Sequence, residues 1–185
     1  MKRALVILAL ALLALAACKR EVPAVEGRVI DTTIASVTLL TPAGDTCVVS
    51  TRGTNPMMVP GVLPGDEVRI AYETLPDGET LRAVRLDITT PSAYRLLPGI
   101  WRDCTGPSEV GLVLAEDGSA QVVGLEGVTL QDWSLDGDDL VLTSVDPDGK
   151  APSQTLLYKI ERLDIDSLVV RPAEAGRRLS FSRQR

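Results

Sequence analysis

The chain contains no histidine. Near neutral pH that removes the usual general base and the commonest transition-metal ligand, so neither a Ser-His-Asp nor a Cys-His site can be assembled. Catalysis would have to rest on carboxylate pairs, and the acidic residues stand in turns or on strand surfaces. A non-enzyme without cofactor or metal is therefore expected. Aromatic residues are scarce as well, with two Trp, three Tyr and one Phe in 185 residues. That is few for the stacking surfaces that hold single-stranded nucleic acid or sugars. Beyond residue 18 no segment keeps a 3.6-residue apolar period, which argues against long helices. The strands that replace them are short and lack the lipid-facing apolar band of a transmembrane barrel.

The first residues are of a different kind. Met1-Lys2-Arg3 is followed by Ala4 to Ala17 without a polar side chain. A basic start, about 14 apolar residues and a small-residue exit are the three parts of a secretory signal; a spanning helix needs roughly 20 apolar residues. Leu15-Ala16-Ala17-Cys18 resembles the lipobox of lipoprotein signal peptides. The resemblance implies cleavage before Cys18, a diacylglyceryl group on its sulfur, and an acyl chain such as palmitate on the new amine. One acyl chain holds a protein only marginally at a membrane, and two or more hold it stably. Lys19 stands where an Asp would favour inner-membrane retention, so outer-membrane placement in the cell envelope is expected. Removing residues 1–17 takes Lys2 and Arg3 from the 19 basic side chains, leaving 17 against 25 acidic ones, a formal charge of about −8. Such a surface repels phosphate backbones, and no nucleic-acid partner is expected.

Once Cys18 is lipidated, Cys47 and Cys104 remain. In an oxidising compartment they are candidates for a disulfide. Their spacing is equally compatible with two separate thiols, at least one of them buried. Neither lies in a Cys-x-x-Cys, so thiol exchange has no motif to rest on.

After a tether over 18–24 the pattern is β throughout. Segments 25–33, 36–41, 45–51, 67–73 and 80–88 are rich in β-branched residues and separated by turn formers such as Pro42-Ala-Gly-Asp45 and Pro76-Asp77-Gly78. In the fourth, Val68, Ile70 and Tyr72 alternate with polar neighbours. Pro56 and Pro60 exclude a central strand between the third and fourth, and Met57-Met58 between them is expected to pack over a barrel. Five strands over residues 25–91 suggest a small closed barrel, and Val62-Leu-Pro-Gly65-Asp66-Glu-Val68-Arg-Ile70 resembles a strand start of OB-like barrels.

Thr90 to Pro98 reads as a junction. Past it come Asp117-Gly118, Asp136-Gly137 and Asp148-Gly149, strong hairpin signals between alternating apolar runs. The acidic knots at Asp136, Asp138 and Asp139 and at Asp146-Pro-Asp148 belong to this turn chemistry. Eight strands are expected, near 99–105, 109–115, 119–125, 128–135, 139–145, 154–162, 166–171 and 177–183. Such a meander closes on itself and loses its edges.

Gly99-x-Trp101 on the first of these strands matches the Gly-x-Trp of lipocalins. With Gly118-Ser119-Ala120, Leu130-x-x-Trp133-x-Leu135, Leu140-Val-Leu142 and Leu163-x-x-Asp166-Ser-Leu-Val169, residues 97–185 resemble the lipocalin-like domain of bacterial envelope lipoproteins. The resemblance implies that Trp101 plugs the closed end of the barrel under a cationic side chain from a late strand, for which Arg171 or Arg177 is the candidate. Trp133 is expected in the core or lining the cavity. Arg177, Arg178, Arg183 and Arg185 are assigned to the outer face of the last strand.

The fold expected is thus all-β, with two small antiparallel barrels, an N-terminal five-stranded OB-like one and a C-terminal eight-stranded lipocalin-like one. Two functions fit it. One is a membrane-anchored module binding a small apolar or amphiphilic ligand in the second barrel. The other is a structural or regulatory envelope protein acting on a protein partner, a pairing of domains that resembles surface-sensing envelope-stress lipoproteins in reversed order and without their Cys-x-x-Cys.

Overall fold

A computed structural model describes residues 22–105, 110–146 and 151–184. The expected signal, the expected lipidation site Cys18 and the Asp148-Gly149 turn lie outside the described residues. The chain divides into two compact units, one holding most of the first five strands and the other joining Leu63–Glu67 to Thr89 and all that follows.

In the first unit β1 (Ala24–Thr32), β2 (Ser36–Leu40), β3 (Thr46–Ser50), β4 (Glu67–Thr74) and β5 (Leu81–Thr90) close into a barrel in the order β1-β2-β3-β5-β4. One pairing departs from the antiparallel expectation: β3 and β5 run parallel, with Val49 opposite Leu81 and Ser50 opposite Arg82. The cause is the long connection after β3. It lets β4 join the far side of the barrel, so that β5, returning from β4, meets β3 in the same direction; parallel neighbours always need such a crossover. Period-2 alternation turns Val68 and Ile70 of β4 inward, where they meet Val29, Val37, Leu39 and Val49. Burying each such side chain contributes about 1.5–3 kcal/mol. Ile30 faces solvent by alternation after Val29, and a bulge between Val29 and Asp31 leaves Asp31 exposed beside it. The loop over 55–62 covers the core through Val59 and Val62, and Leu86 N donates to Met58 O at 2.8 Å. The methionines do not pack as expected: Met57 is 88% exposed and Met58 42%. The prolines on either side fix a path in which the valines, not the thioethers, face inward.

The second unit opens with a single helical turn, α1 (Ala93–Leu96). Eight strands follow: β6 (Gly99–Asp103), β7 (Gly111–Leu114), β8 (Ala120–Val123), β9 (Thr129–Asp136), β10 (Asp139–Val145), β11 (Gln154–Leu163), β12 (Ser167–Pro172) and β13 (Leu179–Arg183). All their pairings are antiparallel neighbours in sequence, except that β13 returns to β6. The remaining gap, between β8 and β9, is spanned by a bridge from Ser119 to Asp132 and by Trp133 N donating to Gly118 O at 2.7 Å. The result is a nearly closed up-and-down barrel.

Asp66 is fully buried in this unit. Its carboxylate accepts from Ser92 N at 2.7 Å, Leu63 N at 2.8 Å and Arg95 Nη2 at 2.9 Å. Burial alone would raise its pKa, but the Arg95 guanidinium and the two backbone donors outweigh burial and hold the carboxyl below the usual carboxylate range. The Gly65-Asp66 turn read from the sequence is therefore also a buried anchor for α1.

Candidate functional site

Successive hairpins place two ends on the second barrel. Gly99, α1 and the β7–β8, β9–β10 and β11–β12 turns lie at one end; Asp103 and the β8–β9 turn lie at the other.

The first end is filled. Trp101 is fully buried and its Nε1 donates to Leu97 O at 2.7 Å. The cation over its ring is Arg183, with Cζ 4.2 Å from the ring centroid. This corrects the expectation of Arg171 or Arg177. The register decides it, since Arg183 of β13 lies directly opposite Trp101 of β6 and directly opposed residues share a face. Arg171 instead pairs on the outside with Glu161 at 2.8 Å, and Arg177 donates to Thr105 O. Arg183 is also not on the outer face to which it was assigned. It donates through Nε to Ile165 O and through Nη1 to Pro98 O, both at 2.6 Å, and through Nη2 to Leu96 O. Cationic side chains commonly satisfy the last carbonyls of a helix in this way. Gly99 completes the arrangement: its φ is +144°, and a Cβ there would overlap Arg183 Nη1. Gly99, Trp101 and Arg183 are one interlocked cluster.

Trp133 sits 7% exposed at the same end, with Nε1 donating to Ala115 O at 2.8 Å and Tyr94 of α1 at 6.4 Å between ring centroids. Leu130 is buried beside it, although strict alternation would place the two on opposite faces. The register skips Gln131, where Thr143 opposes Asp132 and Ser144 opposes Leu130. This bulge turns both side chains inward. Trp133 is thus a core residue and does not line the cavity described next.

The second end is open. A cavity of about 190 Å³ occupies it, walled by Leu112 of β7, Leu130 of β9, Leu142 of β10, Leu156 of β11 and Val170 of β12. Leu125 and Val128 of the β8–β9 turn border it and are themselves 49% and 41% exposed. An apolar cavity of about 150 Å³ is already enough to hold a benzene-sized molecule. Two polar side chains interrupt the apolar lining, Asp103 of β6 and Tyr158 of β11. Asp103 Oδ1 accepts from Thr105 N and Oγ1, each at 2.7 Å. Burial pushes the Tyr158 hydroxyl up from its ordinary pKa. Eight-stranded barrels either fill with side chains or keep room for one small ligand. This one fills one end with Trp101 and Trp133 and leaves the other empty.

Cys47 and Cys104 are both free thiols, Cys47 half-buried in the first unit and Cys104 exposed in the second, so neither is the fully buried thiol that was expected. Burial pushes the Cys47 thiol up in pKa. Asp117 Oδ1 accepts from Ser119 N, as its Asp-Gly turn requires. Sequence reading missed Asp103, whose position on the Trp101 face follows from alternation once β6 is recognised.

No curated protein matches the chain. Among solved structures, a lipocalin-like protein from Bacteroides thetaiotaomicron is similar at 25% identity over 47% of this chain and 95% of that chain, with a TM-score of 0.39. A model of the lipocalin-like family matches residues 95–184. That span takes in the last two residues of α1, all eight strands, the Trp101–Arg183 base and the cavity, so the second unit carries a lipocalin-like domain.

Proposed function

We propose that the protein is a lipid-anchored envelope lipoprotein, non-enzymatic, whose C-terminal barrel binds a small apolar or amphiphilic molecule. The observation that carries the reading is the cavity of about 190 Å³ at the end of the barrel away from Trp101, apolar on nearly all sides. Apolar pockets with a few placed polar groups are the usual form of a small-molecule site. Protein purified gently from membranes should carry a small apolar molecule, detectable by mass spectrometry. Leu142→Trp, which fills the cavity from its wall, should exclude it. Equal ligand in both proteins refutes the reading.

The anchor in this proposal is lipid on Cys18, followed by a short tether to β1. Among the described residues no helix is long and apolar enough to cross a membrane. Outer-membrane placement is part of this proposal, because Lys19 stands where an Asp would favour inner-membrane retention. Cys18→Ser should leave a folded protein in the soluble fraction, and its retention in membranes would count against the anchor. For the first unit the strand order β1-β2-β3-β5-β4 supports an OB-like reading. A role for that unit in protein contact is favoured by a surface depression that exposed Ile34 lines together with Pro56, Val59 and Pro60.

A further inference from the structure

The chemistry of the cavity mouth narrows the kind of ligand. We infer that the barrel selects small amphiphiles with a cationic amine head over neutral ones, and rejects carboxylates. This rests on the cavity being a ligand site, as proposed above.

The argument starts from β6. Trp101 and Asp103 lie two residues apart, so both point to the barrel interior, and Asp103 stands about 6.6 Å further along the strand toward the mouth. Ile100 and Arg102 face outward. Asp103 is the one side chain of fixed charge among the described residues that line the cavity, and no Lys or Arg is among them. The nearby cation, Arg177, is exposed and turned to Thr105 O. Arg183, the inward-facing cation of β13, is spent on Trp101 and three carbonyls at the opposite end. Phe181 lies directly opposite Asp103 and supplies an apolar wall against it. The carboxylate is held in place by two hydrogen bonds from Thr105 to Oδ1.

A carboxylate beside low-dielectric walls attracts a cation more strongly than the same group in water, and repels an anion by the same rule. A fatty-acid head would meet a like charge with no cation among the described lining residues to offset it. A protonated amine head can donate to Asp103 while its apolar body fills the space between Leu112, Leu142 and Val170. The volume limits that body to about a benzene ring with a short substituent.

A matched set of probes tests this: benzylamine, benzyl alcohol and benzoate share one ring and differ only in head group. Their affinities for the full chain carrying Cys18→Ser are measured by calorimetry. The expected order is benzylamine at least tenfold tighter than benzyl alcohol, with benzoate weakest; tenfold corresponds to about 1.4 kcal/mol. Asp103→Asn keeps an acceptor for Thr105 and should bring benzylamine within about twofold of the alcohol, leaving alcohol binding unchanged. Equal binding of all three probes, abolished by Leu142→Trp, overturns the head-group selectivity and leaves the cavity reading intact. A preference for benzoate, or an amine preference that survives both Asp103→Asn and Asp103→Leu, overturns it as well. Failure of every probe to bind at millimolar concentration overturns the selectivity together with the cavity reading.

Discussion

Gly99 and Arg183 should be energetically coupled, because the structure puts the guanidinium where a Gly99 side chain would go. Replacing Arg183 with Ala removes the cation over Trp101, about 1 kcal/mol. It also strips a charged donor from the carbonyls of Leu96, Pro98 and Ile165. Charge-assisted bonds contribute about 1.5–3 kcal/mol each when shielded, but this site is partly open and water can replace some of them, so the total loss is about 3 kcal/mol. Gly99→Ala forces a Cβ onto a backbone at φ +144°, a strain of about 2 kcal/mol. It also pushes Arg183 off its carbonyls, for about 2 kcal/mol more by the same hydrogen-bond values. In an Arg183→Ala background only the backbone strain remains. The double variant should therefore lose about 5 kcal/mol and not the roughly 7 that additivity would give, a coupling of about 2 kcal/mol. Both tryptophans lie in the second unit, so urea unfolding followed by tryptophan emission isolates that unit's transition. Sucrose in every sample keeps the weakest variant folded. Losses that add to within about 0.5 kcal/mol would show that Arg183 does not occupy the space against Gly99.

Two further outcomes follow from titratable groups. The Asp66 carboxyl has a lowered pKa in the folded protein; its contribution is present above the unfolded value, about 3.9, and lost as pH falls through the folded one. Asp66→Asn should cost about 2 kcal/mol at pH 7, since Ser92 N, Leu63 N and Arg95 lose their shared charged acceptor. It should also flatten the decline in stability below about pH 4; an equally steep acid decline in the variant would exclude Asp66 as its source. In the Cys18→Ser protein, a disulfide-forming thiol reagent at pH 8 should modify exposed Cys104 first, while Cys47, half-buried and raised in pKa, reacts more slowly. Cys104→Ser should remove the fast phase, and a surviving fast phase would mean that Cys47 is open to solvent.

Local chemistry made much of this protein legible from its sequence. Alternation such as Val68-x-Ile70 and Asp-Gly turns such as Asp117-Gly118 are short-range signals, and they located each of the eight strands of the second barrel to within two residues. Gly99-x-Trp101 marked the barrel base through its resemblance to the Gly-x-Trp of lipocalins, a motif that is local because both residues lie on one strand. What only the tertiary structure decided is what depends on register between distant strands. Arg183, not Arg171 or Arg177, covers Trp101 because β13 closes on β6 with those two residues opposite. The parallel meeting of β3 with β5 depends on which side β4 joins after a long connection. The bulge at Gln131 turns Leu130 and Trp133 inward together, which period-2 reading forbids. The cavity is the furthest from the sequence. It is the volume left over when side chains from eight strands and the turns at one end fail to fill a barrel, and no local pattern encodes that remainder. Asp103 at its mouth has the same origin: a carboxylate in a strand is ordinary until closure of the sheet surrounds it with apolar walls.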